Sequence, residues 1–171
     1  MKTLGVLIIL CISITLFAGE TDVRLGLIAG PLSGAGVGCR VYFGDFGIQV
    51  AGITYKAGEK DSYDYSRFTN VGVQGIFTIS TYSILRFYAF GGISHVYWEN
   101  YYEYDRWSYW ADNYVRETHY DYYRETHFGG GPGLEFNVSR NSAIVLEYPV
   151  YYTTDDEVVL ELPQIGLFYR F

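Results

Sequence analysis

Short stretches of alternating apolar and less apolar residues recur along this chain, separated by turn signals. Successive side chains of a β-strand point to opposite faces, so a repeat of two residues predicts strands. One such face carries Val71, Val73, Gly75, Phe77 and Ile79. After the N-terminal apolar run, no window sustains apolar residues at the helical spacing i, i+3, i+4 and i+7. The pattern therefore predicts a single all-β domain.

Eight alternating segments follow one another, with an even count that suits an up-and-down antiparallel barrel. Their approximate bounds are Val23–Gly30, Gly36–Phe43, Phe46–Tyr55, Phe68–Ser80, Leu85–Trp98, His127–Val138, Ala143–Tyr152 and a last segment ending at Phe171. Tight turns near Gly44, Tyr82 and Arg140 alternate with longer polar connections, the longest of which runs from Glu99 to about Thr126. We expect both termini at the end of the barrel that has the short turns.

The chain ends on an aromatic strand whose two faces differ. One face carries Ile165, Leu167, Tyr169 and Phe171. The order polar, any, Gly, any, any, aromatic, any, aromatic resembles the C-terminal β-signal that the assembly machinery of bacterial outer membranes recognises. Its defined places hold Gln164, Gly166, Tyr169 and Phe171. The mature chain as a whole resembles the small eight-stranded outer-membrane barrels of the outer membrane protein A transmembrane domain and outer membrane protein X type.

The resemblance implies an outer-membrane location, contact with lipid and lipopolysaccharide, and no internal cofactor. Known roles of such barrels include envelope stability, adhesion, defence against host factors and, in a few members, lipid A enzymology, so the fold does not decide the function.

The N-terminus has the layout of a secretory signal peptide. Met1-Lys2 precedes an apolar run from Leu4 to Phe17, and then come Ala18-Gly19 and polar residues. This run is shorter than the roughly 20 residues that a membrane helix needs. We therefore expect residues 1–19 to be a signal peptide and residues 20–171 to form the barrel domain. Because only Cys39 then remains, the exported chain forms no internal disulfide.

The strand face opposite the apolar one is polar, and an eight-stranded barrel has an interior just wide enough for side chains to fill. We expect a network of paired side chains there and no open pore. Its predicted members are Arg24, Arg40, Gln49, Gln74, Arg86, Glu135, Glu147, Gln164 and Arg170. A soluble, lipocalin-like periplasmic barrel holding an apolar ligand is an alternative, but it would turn the apolar face inward.

Tyrosine and tryptophan concentrate between Tyr97 and Tyr123, in the longest connection. The predicted interaction residues are Trp98, Tyr101, Tyr102, Tyr104, Trp107, Tyr109, Trp110, Tyr114, Tyr120 and Tyr122. Because carboxylates outnumber Arg in this segment, nucleic acid binding is disfavoured. We expect an extracellular hairpin that contacts a protein or glycan in adhesion or envelope integrity. The alternative is a hairpin that only packs on itself, with Tyr97 and Trp98 as membrane-interface residues.

Within this segment Arg116-Glu117-Thr118-His119 recurs as Arg124-Glu125-Thr126-His127. On one continuous strand His119 and His127 would lie about 26 Å apart, at about 3.3 Å per residue, so a shared metal ion is not expected. The favoured interpretation is a duplicated strand extension. An exposed strand edge that accepts a partner strand is the alternative.

Polar side chains near the predicted outer rim suit an alternative function, that of an enzyme resembling lipid A deacylases or palmitoyl transferases. The candidate residues are Ser94, His95, Glu99, Glu125 and His127. However, the adjacent Ser94 and His95 must point to opposite sides of one strand. We therefore predict a non-enzymatic protein.

Overall fold

The computed structural model describes residues 21–58, 64–108, 113–154, 158–160 and 163–171. Every regular element in these ranges is a β-strand. The strands are β1 Asp22–Ala29, β2 Gly36–Phe43, β3 Phe46–Ala57, β4 Asp64–Tyr82, β5 Leu85–Ser108, β6 Asn113–Asn137, β7 Ser142–Glu147, β8 Val150–Thr153, β9 Val158–Leu160 and β10 Gln164–Arg170. No helix among the described residues is long and apolar enough to cross a membrane.

All neighbouring strands are antiparallel, and the sheet closes on itself. From β1 to β6 each strand pairs with the next, and β10 joins β1 to β7. Both β7 and β8 pair with β6, so they are two halves of one barrel strand interrupted at Tyr148-Pro149. Proline has no N–H to donate to a ladder, which accounts for the break. With β9 and β10 as the last barrel strand, the prediction of a closed eight-stranded antiparallel barrel is confirmed.

The segment predicted as a long insertion is strand throughout its described part. β5 and β6 pair continuously from Leu85↔Phe136 to Ser108↔Asn113. Beyond the barrel β4 accompanies β5 as far as Asp64↔Tyr102, and β3 accompanies β4 as far as Ala57↔Ser66. We use "hairpin" for the described residues between Tyr97 and Thr126. It is a direct continuation of the barrel wall.

The two faces of the barrel wall have opposite character. Side chains that point outward are apolar and exposed, among them Leu27, Ile48, Val73, Ile93, Phe128, Ile165 and Leu167. Side chains that point inward are buried, and polar ones such as Arg40, Gln49 and Glu147 pack beside apolar ones such as Ile76 and Phe168. An apolar ligand cavity inside the barrel does not fit this arrangement, which argues against the lipocalin-like alternative.

The connection between β1 and β2 folds into the barrel mouth, although the sequence suggests an ordinary polar loop. Leu32 and Ser33 are fully buried there. Gln164 Oε1 accepts hydrogen bonds from both of their backbone N–H groups, at 2.8 Å each. Gly34 has a φ of +79°, and a Cβ on Gly72 would lie 2.5 Å from the carbonyl carbon of Ser33. Glycine at both positions therefore permits the close approach.

Candidate functional site

Arg40 lies at the centre of a polar network inside the barrel, called here the interior network. Its Nη2 donates to Glu147 Oε1 at 2.7 Å, and its Nε donates to Gln49 Oε1 at 2.8 Å. Its Nη1 donates to the hydroxyl of Tyr88 at 3.1 Å, and this hydroxyl donates to Glu147 at 2.8 Å. An Arg guanidinium presents five N–H donors in a planar fork, which suits such a crowded set of acceptors.

A second group in the interior network surrounds Glu135, nearer the short turns. Arg24 Nη1 lies 2.6 Å from Glu135 Oε1, and the hydroxyl of Tyr42 donates to Glu135 Oε2 at 3.0 Å. The guanidinium of Arg86 lies over the Tyr42 ring, 4.1 Å from its centroid. Arg24 also pairs with Asp22 at 2.7 Å. Glu135 therefore faces positive charge from more than one strand.

Amide side chains link the interior network to the buried β1–β2 connection. Gln49 Nε2 donates to Gln74 Oε1 at 2.6 Å, and Gln74 Nε2 donates to Glu147 Oε2 at 3.3 Å. Gln164 Nε2 donates to the same Glu147 oxygen at 2.8 Å. Because Gln164 Oε1 holds Leu32 and Ser33, a continuous chain of hydrogen bonds runs from Arg40 to the barrel mouth.

Eight of the nine side chains predicted for the interior lie inside the barrel and contact one another. Arg170 differs, because its side chain is 53% exposed and lies at the rim, where it pairs with Asp22 at 3.1 Å. Its strand ends at the rim, so a side chain on the inward-facing side of the strand is not necessarily buried there. Sequence reasoning omitted Tyr42 and Tyr88, although each lies two residues from a predicted Arg and so shares its face.

Ser94, His127 and Glu125 come together at the barrel mouth. His127 Nε2 lies 2.9 Å from a Glu125 oxygen, and its Nδ1 lies 3.4 Å from Ser94 Oγ. However, Ser94 donates its only proton to the carbonyl of Pro31, and this hydroxyl is almost fully buried. His127 Nδ1 also approaches that carbonyl, at 3.3 Å. Contacts with the Pro31 carbonyl thus join Ser94 and His127 to the buried connection.

The other rim residues are separated from this cluster. His95 points outward and contacts Thr126 Oγ1 at 2.9 Å. Glu99 lies on the outer face of the hairpin, where it accepts hydrogen bonds from Tyr97 and Tyr120, each at 3.1 Å. Among the described residues, no three His, Cys, Asp or Glu side chains are close enough to hold a metal ion.

The hairpin carries its predicted aromatic residues on both faces. On the outer face lie Tyr101, Trp107, Tyr114, Tyr120 and Tyr122, and on the inner face, above the barrel mouth, lie Trp98, Tyr102 and Tyr104. Tyr109 and Trp110 lie outside the described residues. Three aromatic residues of the inner face were absent from the predicted set, namely Tyr55, Phe68 and Tyr123. Strand register, which the sequence does not provide, brings these three beside Trp98.

Hydrogen bonds between phenols and carboxylates recur on the hairpin. Tyr104 donates to Glu117 at 2.9 Å, which raises the pKa of this tyrosine. A hydrogen bond to Glu103 raises the pKa of Tyr101 in the same way. A hydrogen bond with Tyr97, followed by desolvation and a hydrogen bond to Glu99, raises the pKa of Tyr120 to about 12. These contacts keep the phenols neutral.

One edge of the hairpin has no neighbouring strand in the described part of the chain. β6 pairs with β5 from Asn113 onward, whereas its other side first bonds at Thr126, whose carbonyl accepts the N–H of Thr154 at 3.2 Å. Such an edge presents N–H and C=O groups to any extended segment that approaches it.

No family model matches the chain, and no curated protein matches it. Among solved structures it resembles the N-terminal β-barrel domain of Pseudomonas aeruginosa OprF, at 14% identity and a TM-score of 0.50 over 88% of this chain and 96% of that one. Ail, the attachment invasion locus protein of Yersinia pestis, matches at 17% identity and a TM-score of 0.44, over 91% of this chain and 100% of that one. Escherichia coli outer membrane protein W matches at 14% identity and a TM-score of 0.38, over 90% of this chain and 96% of that one.

The likeness to the OprF domain shows the fold of the chain. The chain has the closed barrel of the small outer-membrane proteins, which confirms the resemblance inferred from its sequence.

Proposed function

We propose that this protein is a non-enzymatic outer-membrane barrel that binds a partner outside the cell through its hairpin. The observation that carries this proposal is the hairpin itself. From Tyr97 to Ser108 strand β5 advances about 36 Å, at about 3.3 Å per residue. Exposed aromatic side chains line this extension, and they contribute nothing to closing the barrel. Tyr and Trp offer large, rigid contact areas with a polar handle, so they serve recognition well.

The membrane setting is supported by the apolar outward face, which would contact lipid and lipopolysaccharide. Residues 1–19 would direct export and be removed. The terminal residues Gln164, Gly166, Tyr169 and Phe171 would present the β-signal to the assembly machinery. In the folded barrel Gln164 also holds the buried β1–β2 connection, so this residue has two uses.

We further propose that the barrel conducts no ions. The support is the interior network, in which Arg40, Gln49, Glu147 and Gln164 are fully buried and hydrogen-bonded across the lumen. Purified protein in a planar bilayer should show no conductance steps of porin size. Regular steps of that size would refute the closed interior.

The test of the interaction role is a hairpin deletion in which Asn-Gly replaces residues 97–124, between the paired positions Val96 and Glu125. Asn-Gly favours the tight turn that joins two antiparallel strands. Cells expressing either protein would be compared for attachment to a host cell layer. We expect the shortened barrel to keep its heat-modifiable mobility on a gel and to lose attachment. Equal attachment by both proteins would contradict the proposal.

The second candidate function is a lipid A-modifying hydrolase, favoured only by the Ser94, His127 and Glu125 cluster. Its weakness is the hydrogen bond from Ser94 to the Pro31 carbonyl, which withholds the proton that a general base would remove. A fluorophosphonate probe should leave the protein unlabelled, and the lipid A mass spectrum of expressing cells should be unchanged. Labelling that disappears in Ser94→Ala would favour the hydrolase.

A further inference from the structure

Four aromatic residues form one row across the inner face of the sheet where it leaves the barrel. Tyr55 of β3 lies opposite Phe68 of β4, Phe68 lies opposite Trp98 of β5, and Trp98 lies opposite Tyr123 of β6. We call these four residues the aromatic row. Three interstrand spacings of about 4.8 Å give it a length of about 14 Å. Because inward-facing positions continue those of the barrel interior, the row faces the space above the mouth.

The rings of the aromatic row are accessible. Tyr55 is 59% exposed, Trp98 is 38% exposed and Tyr123 is 43% exposed, while Phe68 is half-buried. Within the described residues none of these rings stacks on another ring. Elsewhere on the hairpin, aromatic neighbours do pack together, as Trp107 and Tyr114 do with centroids 5.1 Å apart. The aromatic row therefore leaves its ring faces available to a ligand.

Among the side chains that the structure describes on the same face, the carboxylates are already paired. Glu125 contacts His127 at 2.9 Å and accepts a hydrogen bond from Tyr123. Asp121 contacts His119 at 3.1 Å. Farther out, Glu117 contacts Arg106 at 3.5 Å. A cationic ligand would have to displace these partners, and an anionic ligand would meet a face whose carboxylates outnumber its Arg residues.

The polar groups that remain available beside the row are uncharged. Ser66 and Asn100 lie opposite each other, two positions beyond Phe68 and Trp98 on the same face. In the described part of the chain neither side chain hydrogen-bonds to another group. A hydroxyl both donates and accepts, and so does a carboxamide. Together they match hydroxyl groups of a neutral ligand.

We propose that the aromatic row binds a neutral oligosaccharide. A pyranose ring has a flat C–H face, which would stack on the electron-rich faces of the Trp and Tyr rings. Its hydroxyls would bond to Ser66 and Asn100, and a chain of several sugars would follow the row from β3 to β6. This inference rests on the proposed interaction role and names the ligand class and its site.

The test is calorimetric titration of the protein in lipid nanodiscs, which avoids detergents with sugar headgroups. The probes are maltohexaose, cellohexaose and N-acetylchitohexaose, with a heparin hexasaccharide as the anionic comparison. We expect at least one neutral probe to bind. Trp98→Ala should weaken binding about tenfold or more, as expected for the loss of an aromatic anchor. Arg124→Ala is the matched control, because Arg124 adjoins Tyr123 but points to the outer face.

The possible results distinguish the sugar site from the more general interaction role of the hairpin. Loss of binding in Trp98→Ala and in Tyr123→Leu, with heat-modifiable mobility kept and Arg124→Ala unchanged, would support the site. Absence of binding to every neutral probe, preference for heparin, or equal loss in Arg124→Ala would overturn it. If the hairpin deletion abolishes attachment while Trp98→Ala attaches normally, the sugar site fails and the interaction role stands.

Discussion

The interior network and the hairpin use the same side chains, Tyr, Arg and Glu, in opposite surroundings. Inside the barrel Arg40 has no exposed surface, and it contacts two tyrosine hydroxyls and a carboxylate. On the hairpin Arg106 is 69% exposed and its distance to Glu117 is 3.5 Å. Where water is excluded every charge requires a partner, so one arrangement is strongly preferred. Where water remains, ion pairs stabilise little, and the same residues remain available for binding.

This comparison also separates two roles of tyrosine. Tyr88 is fully buried, and its hydroxyl links Arg40 to Glu147. Tyr122 on the hairpin is 67% exposed and leaves its surface to solvent. The buried phenol supports the fold, whereas the exposed one would support recognition. Substitutions in matched pairs test the difference directly.

The largest effect should follow the loss of the central Arg in the interior network. Arg40→Ala leaves Glu147 and Glu135 buried with fewer positive partners, and removing one partner of a buried ion pair costs about 3–5 kcal/mol. We expect the midpoint of urea unfolding in lipid vesicles to fall sharply. Arg106→Ala, which removes an exposed Arg, should change the unfolding free energy by less than about 0.5 kcal/mol. Equal shifts of the unfolding midpoint in the two variants would contradict the difference expected between the interior network and the hairpin.

The next effect concerns the buried β1–β2 connection. A Cβ in Gly72→Ala would meet Ser33 backbone atoms at 2.5 Å, whereas in Gly75→Ala the nearest atom would lie at 3.9 Å. Forcing an extra methyl group into a packed interior costs about 1–3 kcal/mol. We expect Gly72→Ala to speed hydrogen exchange at the Leu32 and Ser33 amides and Gly75→Ala to leave it unchanged. Unaltered exchange in both variants would show that the connection is not held as described.

A smaller effect should separate a buried phenol from an exposed one. Tyr42→Phe removes the hydrogen bond to Glu135 and leaves a buried oxygen with one donor fewer, which costs about 1–3 kcal/mol. Tyr104→Phe removes a similar bond to Glu117 at an exposed site and should cost less than about 0.5 kcal/mol. Urea unfolding of both variants measures the difference. Destabilisation by Tyr104→Phe as large as that by Tyr42→Phe would mean that burial does not govern these bonds.

The sequence predicted the barrel well because strand alternation, which is local, decides which side chains share a face. Alternation placed Arg40, Gln49 and Glu147 on the polar face, and the resemblance of the C-terminus to the β-signal assigned that face to the interior. The folding of Leu32 and Ser33 into the mouth could not be predicted, because it depends on a distant acceptor, Gln164 Oε1. The aromatic row was missed for a similar reason. Its members come from four strands, and only the register of each strand pair brings them side by side.

The smallest effect should appear at high pH on the outer face of the hairpin. The pKa of Tyr120 lies at about 12, against an ordinary value of 10.0, chiefly because its neutral phenol hydrogen-bonds with Tyr97 and Glu99. A raised pKa means that the folded hairpin holds its proton more tightly than the unfolded chain. This contribution to stability is therefore complete below pH 10 and is lost as pH rises through about 12.

Absorbance of the phenolate, taken as the difference between the parent protein and Tyr120→Phe, should show a transition near pH 12. In a Glu99→Gln background that transition should move toward pH 10, because the carboxylate acceptor is gone. A transition near pH 10 in the parent protein would show that the hydrogen bonds of the outer face are absent in solution.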